Sequence, residues 1–213
     1  MTPPKIFQSA ITRFTRRLQN TPVPDDVENF YAAKHTNLQR HNLQTYLLQM
    51  AELHPDTLLV GEAPGHNGCT RTGVPFSSEK LLREGVMNKK LYGEKNGYRV
   101  RSGSAVHEQS AAAMWEVLSE VGRIPLIWNA YPFHPHRKGE PFSNRKPKAS
   151  ELQTGMTFLA ELMEIFGIIR VIAIGNAASE VLTKMGIEHA KVRHPAHGGR
   201  TAFKAGIKAL LKD

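Results

Sequence analysis

Cysteine is nearly absent: Cys69 is the only one in 213 residues. One thiol excludes an internal disulfide framework and any multi-cysteine zinc or iron-sulfur site held within this chain, and it fits a reducing, intracellular (cytoplasmic) setting. Long apolar runs are also missing. The most promising one, "IFGIIRVIAIG" over 165–175, is divided by Arg170 and falls well short of the ~20 residues a membrane-spanning helix needs, so a soluble protein is expected. Acid is in short supply, with 19 Asp and Glu against 28 Lys and Arg and a formal charge of +9. That surplus favours contact with a polyanion such as nucleic acid, although solubility alone also accounts for it. Repeats and low-complexity tracts are absent, and 40% hydrophobic with 22% charged residues excludes disordered and fibrous classes. The length suits one domain over residues 1–213, working as a monomer.

Four short segments rich in Val, Ile and Leu read as buried strands: "TLLVG" (57–61), "PLIWN" (125–129), "RVIAIG" (170–175) and "AKVRH" (190–194). Without polar alternation they suit a sheet covered on both faces. Helical patterns lie between them. Trp115, Leu118 and Val121 recur at helical spacing and stop at Gly122, Ser150 and Gln153 read as a capping box, and Asn176 reads as the N-cap of a helix ending at Gly186. Strands alternating with helices predict a three-layer α/β/α fold on a mainly parallel, four-stranded sheet. Near the start, Arg13, Arg16 and Arg17 without an acid match a mitochondrial transit peptide. Ile6, Ile11, Phe14 and Leu18 match an ordinary docking helix, which is the preferred reading. The stretches 91–104 and 131–148 read as long loops.

In an open parallel sheet the ligand lies beyond the carboxyl ends of the strands. Here those ends carry Gly61-Glu62, Asn129, Gly175-Asn176 and His194-Pro195, which predicts one shared site. "LLVGEAPGHNGCTRTGVPF" (58–76) lacks both the Gly-Lys-Ser/Thr ending of a P-loop and the glycine spacing of a dinucleotide fingerprint. Pro64 stiffens the turn, while Gly61 and Gly65 let backbone approach a flat ligand, over which Phe76 can lie. The loop reads as a holder for a planar ring.

"GEAPG" followed by "TGVPF", then "WNAYPF", "GNAA" and "RHPA", in this order and each at a strand end, resembles the uracil-DNA glycosylase superfamily over residues 57–200. The first block is most similar to the thermostable iron-sulfur branch, whose four cluster cysteines this chain lacks. The resemblance implies a monofunctional base-excision enzyme acting on single- or double-stranded DNA, with water as nucleophile and no metal or organic cofactor. By position it makes Phe76 the aromatic that stacks on an extruded base and Asn129 the amide that reads its edge. It makes His194 a hydrogen-bond donor to the departing base, with Gly61 and Ala63 at the base-binding loop. Glu62 is the candidate for orienting the attacking water, with His66 as a second one. The segment after His194 corresponds to the family's insertion loop, with His197 and Arg200 as its large residues. Arg71 and Arg137, with Lys138, Arg145 and Lys146, are candidates for phosphate contact.

Other readings stay open. Asn129 also suits a strand-end cap, Phe76 core packing, Glu62 a loop acceptor, and His66 and His194 ordinary loop histidines. At the level of the whole protein the alternatives are a glycosylase for hypoxanthine or xanthine, a noncatalytic nucleic-acid-binding module, and a small-molecule nucleoside hydrolase. The pairs His134/His136 and His194/His197 lack an adjacent Cys or acid that would complete a zinc signature, so no metal site is assigned. Cys69 has no base at a characteristic spacing and reads as a packing residue.

Overall fold

The computed structural model describes residues 5–32, 37–101 and 108–212. The strand-end prediction turns on β2 (Thr57–Gly61), whose five residues are all buried. It occupies an inner position of a four-stranded sheet, between β3 (Leu126–Asn129) and β5 (Arg170–Ile174), with β6 (Ala190–Val192) beyond β5. All three pairings are parallel. Leu58, Leu59 and Val60 are fully buried, so both sheet faces are covered, and each such side chain contributes about 1.5–3 kcal/mol. Parallel pairing puts all four carboxyl ends on one edge. Gly61 lies beside Asn129 in register, so the first and second predicted strand ends meet directly.

Helices surround this sheet. α6 (Ala149–Phe166) packs on β3 and on α1 (Lys5–Asn20), which in turn packs on α2 (Leu38–Leu53). α7 (Asn176–Lys184) lies on β5 and β2, and α8 (Arg200–Leu211) packs on β6 and α5 (Gln109–Val121). Short elements complete the edge that carries the site: α3 (Cys69–Thr72) and α4 (Glu79–Glu84) follow β2, and β1 (Val27–Glu28) pairs antiparallel with β4 (His134–Pro135).

The N-terminal segment is a docking helix from Lys5 onward, burying Ile11, Phe14 and Leu18. Ile6, expected on that face, is instead 76% exposed, because it lies in the first turn where the helix projects past its neighbours' cover. The start of α6 also differs from its sequence reading. The carboxylate that caps it is Glu151, which accepts from the Lys148 backbone N–H at 2.7 Å, two residues upstream of the expected Ser150 and Gln153 pair. Asn176 is the first helical residue of α7, and Gly175 takes the cap position at φ 86, a conformation that suits glycine. The stretches 91–101 and 131–148 contain a 3-10 turn at Glu94–Asn96, the two residues of β4 and isolated bridges at Leu91 and between Arg137 and Glu140, while 102–104 lie outside the described residues.

Candidate active site

The edge formed by the strand ends opens into a cleft of about 520 Å³, lined by Glu62, Ala63, His66, Phe76, Asn129 and His194 together with neighbouring loop residues. Its floor is Gly61. A β-carbon there would sit 2.6 Å from Phe76 Cε2 and 2.7 Å from Asn129 Oδ1, so the phenyl ring and the carboxamide converge on the one residue whose missing side chain makes room for both. Asn129 is 4% exposed, and its amide makes no hydrogen bond among the described residues. The amide is not one of the buried side-chain groups left without a partner, so the exposure it keeps opens to the cleft, where a ligand can pair with it. Past β3 the chain stays tied to the first loop, with Ala130 N–H donating to Gly61 O at 2.8 Å and Tyr131 N–H to Glu62 O at 3.0 Å.

Phe76 sits at φ 46, a left-handed conformation that a phenylalanine holds only when its surroundings enforce it. Trp115 Nε1–H donates to its carbonyl at 2.9 Å. Upstream, Gly73 at φ 82 lies so close to α2 that a β-carbon would meet Gln39 O at 2.1 Å. Tyr31 hydroxyl donates to Gly73 O at 3.0 Å, and Asn42 Nδ2 donates to Thr72 O at 2.9 Å. The ring's position is therefore set by a network that spans β2, α2 and α5.

His194 lies two residues past the end of β6, over Gly175, whose own β-carbon would come within 3.3 Å of the histidine Cβ. Ala196 N–H donates to His194 Nδ1 at 3.1 Å, which fixes the neutral ring as the Nε2–H tautomer and leaves Nε2–H as a donor. Burial holds the imidazole below its ordinary pKa. The Glu108 carboxylate opposes that shift, and His197 and Arg193 reinforce it, so the ring is neutral at pH 7.

Glu62 is half-buried, and burial raises its carboxyl above the ordinary range; Lys146 pulls it back and Glu180 adds to the rise. A raised carboxylate is a stronger base when ionised. His66 is anchored through its backbone, its N–H donating to Asn144 Oδ1 at 3.2 Å and its carbonyl accepting from Thr70 Oγ1 at 2.6 Å. Its ring Nδ1 is buried without a partner, in the wall of the same cleft as Glu62. Together these residues provide an aromatic face, an amide edge, a neutral N–H donor, a carboxylate and a free ring nitrogen.

The proposed phosphate contacts are placed differently. Arg71 is directed to the buried carboxylate of Glu79, donating to both its oxygens at 2.9 and 3.1 Å, and is not part of the cleft wall. Arg137 pairs with Glu140 at 2.7 Å on the exposed loop after β4. Arg200 opens α8 and pairs with Glu116, which also takes Lys204. His197 is exposed at φ 51, at the tip of the turn after His194. Lys138 and Lys146 are exposed. Arg145 does line the cleft, but its guanidinium is gripped by Glu151 at 2.7 Å and Asp26 at 3.1 Å. His134 is fully buried with its ring nitrogens 2.8 Å from Pro64 O and 3.2 Å from Pro141 O, a loop-joining role. Cys69 is buried beside the Tyr31 hydroxyl, and burial pushes its thiol up to about 12.

The cleft wall also contains residues that the sequence patterns do not single out, among them Asn144 and Glu108. Asn144 holds the His66 backbone across a separation of 78 residues, which no local pattern reveals. Glu108 caps α5, accepting from Ser110 N–H at 2.9 Å, and faces the cleft with Gln109 and Ser110; an acid just before a helical run was the available signal.

Comparison with known proteins bears on the fold and the family. The crystal structure of wild-type Pedobacter heparinus SMUG2 superimposes with a TM-score of 0.63 at 18% sequence identity, covering 97% of this chain and 99% of that one; at this identity the likeness concerns the fold. No curated protein sequence matches. The family model of the uracil DNA glycosylase superfamily matches residues 49–211, from the end of α2 to the end of α8 and across every strand end of the cleft. The chain belongs to the uracil DNA glycosylase superfamily.

Proposed function

We propose that the protein is a monofunctional DNA glycosylase that hydrolyses the N-glycosidic bond of a flipped, deaminated base, with uracil as the preferred one. The observation that carries this reading is the meeting of Phe76 and Asn129 over Gly61 in a cleft that also holds His194 and Glu62. Chemistry at C1′ requires the nucleotide to leave the stack, at a cost of a few kcal/mol. Phe76 receives the face of the extruded base. The Asn129 amide donates to O4 and accepts from N3–H of uracil, whereas cytosine offers the opposite polarity and would leave buried groups unpaired, each at about 1–3 kcal/mol.

Hydrolysis then needs a water on the sugar and a place for charge on the base. Glu62, with His66 in the same cleft wall, orients the water and takes its proton as the oxygen bonds to C1′. The C1′–N1 bond breaks, its electron pair leaves on the base, and His194 Nε2–H donates to O2 where that charge accumulates. A preorganised donor of this kind contributes about 3–4 kcal/mol. A cleft of about 520 Å³ has room for a purine as well as a pyrimidine, and hypoxanthine and xanthine are the second reading.

Chromatography of the bases released from oligonucleotides carrying uracil, hypoxanthine or xanthine tests the substrate. Uracil released fastest is the expected result; release of a purine alone would replace uracil as the substrate. Borohydride trapping tests monofunctionality, with Lys146, whose charge is felt by Glu62, as the amine to watch. A trapped enzyme–DNA adduct would overturn that part.

A further inference from the structure

Phe142 is 80% exposed, one of four large apolar side chains so placed among the described residues. A lone surface apolar residue is ordinary and needs no explanation. Ile169, for example, immediately precedes β5 and so lies at the amino end of the sheet, away from the cleft. Phe142 differs in three respects.

The first is rigidity. Arg137 N–H donates to Ser143 Oγ at 2.9 Å, Ser143 Oγ–H to Glu140 O at 2.8 Å, and Ser143 N–H to Glu140 O at 3.0 Å, so the turn that displays the phenyl ring is closed on itself. The second is position. The preceding carbonyl, Pro141 O, lies 3.2 Å from one ring nitrogen of His134 while the other is 2.8 Å from Pro64 O in the cleft wall, and the residues two and three further on, Asn144 and Arg145, line that cleft. Two residues of chain span at most ~7 Å, so Phe142 stands on the cleft rim. The third is charge: the same loop carries the exposed Lys138 and Lys146 beside the Arg137–Glu140 pair.

An exposed aromatic ring on a closed, lysine-bearing turn at the rim of the cleft matches the chemistry of a DNA strand, which carries anionic phosphates and flat bases together. We infer that Phe142 stacks on a nucleobase adjacent to the flipped nucleotide and holds the strand across the mouth of the cleft. This rests on the DNA-glycosylase reading of the cleft. It assigns the aromatic contact to the loop after β4, on a different segment from the turn that carries His197.

The test uses the full chain and single-stranded oligonucleotides containing a tetrahydrofuran abasic analogue, with 2-aminopurine placed on one side of it or the other. Phe142→Ala is expected to weaken binding roughly 5- to 100-fold without changing Tm, while Phe142→Trp stays within about threefold of wild type. The slope of log Kd against log salt is expected to match wild type for Phe142→Ala, because no phosphate contact is lost, and to flatten by about one for Lys138→Ala, whose exposed ammonium lies on the same loop. Wild type quenches 2-aminopurine on one flank, and Phe142→Ala abolishes that quenching. Wild-type affinity and unchanged quenching in Phe142→Ala would overturn the inference, as would full recovery of both by Phe142→Leu. Uracil release from the same sequence reads the function separately. Release without any effect of Phe142 removes this inference alone, ring-dependent quenching without release removes the enzymatic reading alone, and a wild type that binds no DNA removes both.

Discussion

Substituting Gly61 by alanine places one methyl group at the point where the ring and the amide meet. The new carbon would lie 2.6 Å from Phe76 Cε2 and 2.7 Å from Asn129 Oδ1, while ordinary contact begins at 3.4 Å, so the ring edge must retreat by about 0.8 Å. The ring has little freedom to do so, since its backbone is held at φ 46 and its carbonyl by Trp115. Overpacking of this degree costs about 1–3 kcal/mol of stability. The effect on rate is expected to be larger, because a displacement approaching 1 Å of a positioning group costs on the order of 100-fold. Single-turnover base release, measured beside urea denaturation, separates the two effects. Adding Phe76→Leu to Gly61→Ala is expected to recover part of the stability and none of the rate, since the steric conflict is relieved as the stacking face is lost. A folded Gly61→Ala protein releasing base within threefold of wild type would refute the convergence argument.

Glu62→Gln is expected to abolish turnover yet raise Tm at pH 7–8. The folded carboxyl is raised by burial, so ionisation opposes folding above the ordinary carboxyl range, and the gain over wild type should vanish below about pH 4. Equal Tm values across that range would contradict the burial argument. Arg145→Ala is expected to lose about 3–5 kcal/mol at pH 7, because it strands Glu151, whose side chain is 3% exposed. Burial alone would raise Glu151, but the Arg145 guanidinium and the Lys148 N–H hold it net below its ordinary value. That stability is present at neutral pH and lost as pH falls through the depressed pKa, so denaturation curves of variant and wild type should converge in acid.

The strand ends were legible because a buried parallel strand has no alternation to disguise it and its last residue faces the ligand edge by construction. Glu62, Phe76, Asn129 and His194 follow from that rule together with the family resemblance. α2 was not legible. It buries Gln39 and Asn42 along with Leu43, Tyr46, Leu47 and Met50, so polar residues interrupt its apolar stripe, and Asn37 makes no side-chain capping bond to announce it. Those two amides brace the backbone from Thr70 to Thr72, a purpose that becomes visible only in three dimensions. Arg71 shows the opposite failure. A basic residue in a site-facing loop suggested phosphate, but the chain turns through α3 and α4 to bring Glu79 against it, at a spacing that no single helix would pair. Asn144 and His66 meet only because β4 and the loop after it return to the first loop.

Release of uracil from single- and double-stranded oligonucleotides by wild type, Asn129→Ala and His194→Ala tests the central claim most directly. Wild type is expected to release the base, His194→Ala to be slower by about 100- to 1000-fold, and Asn129→Ala to lose release, with all three proteins folded. Wild-type rates in both variants, or no base released by the wild type, would contradict the account.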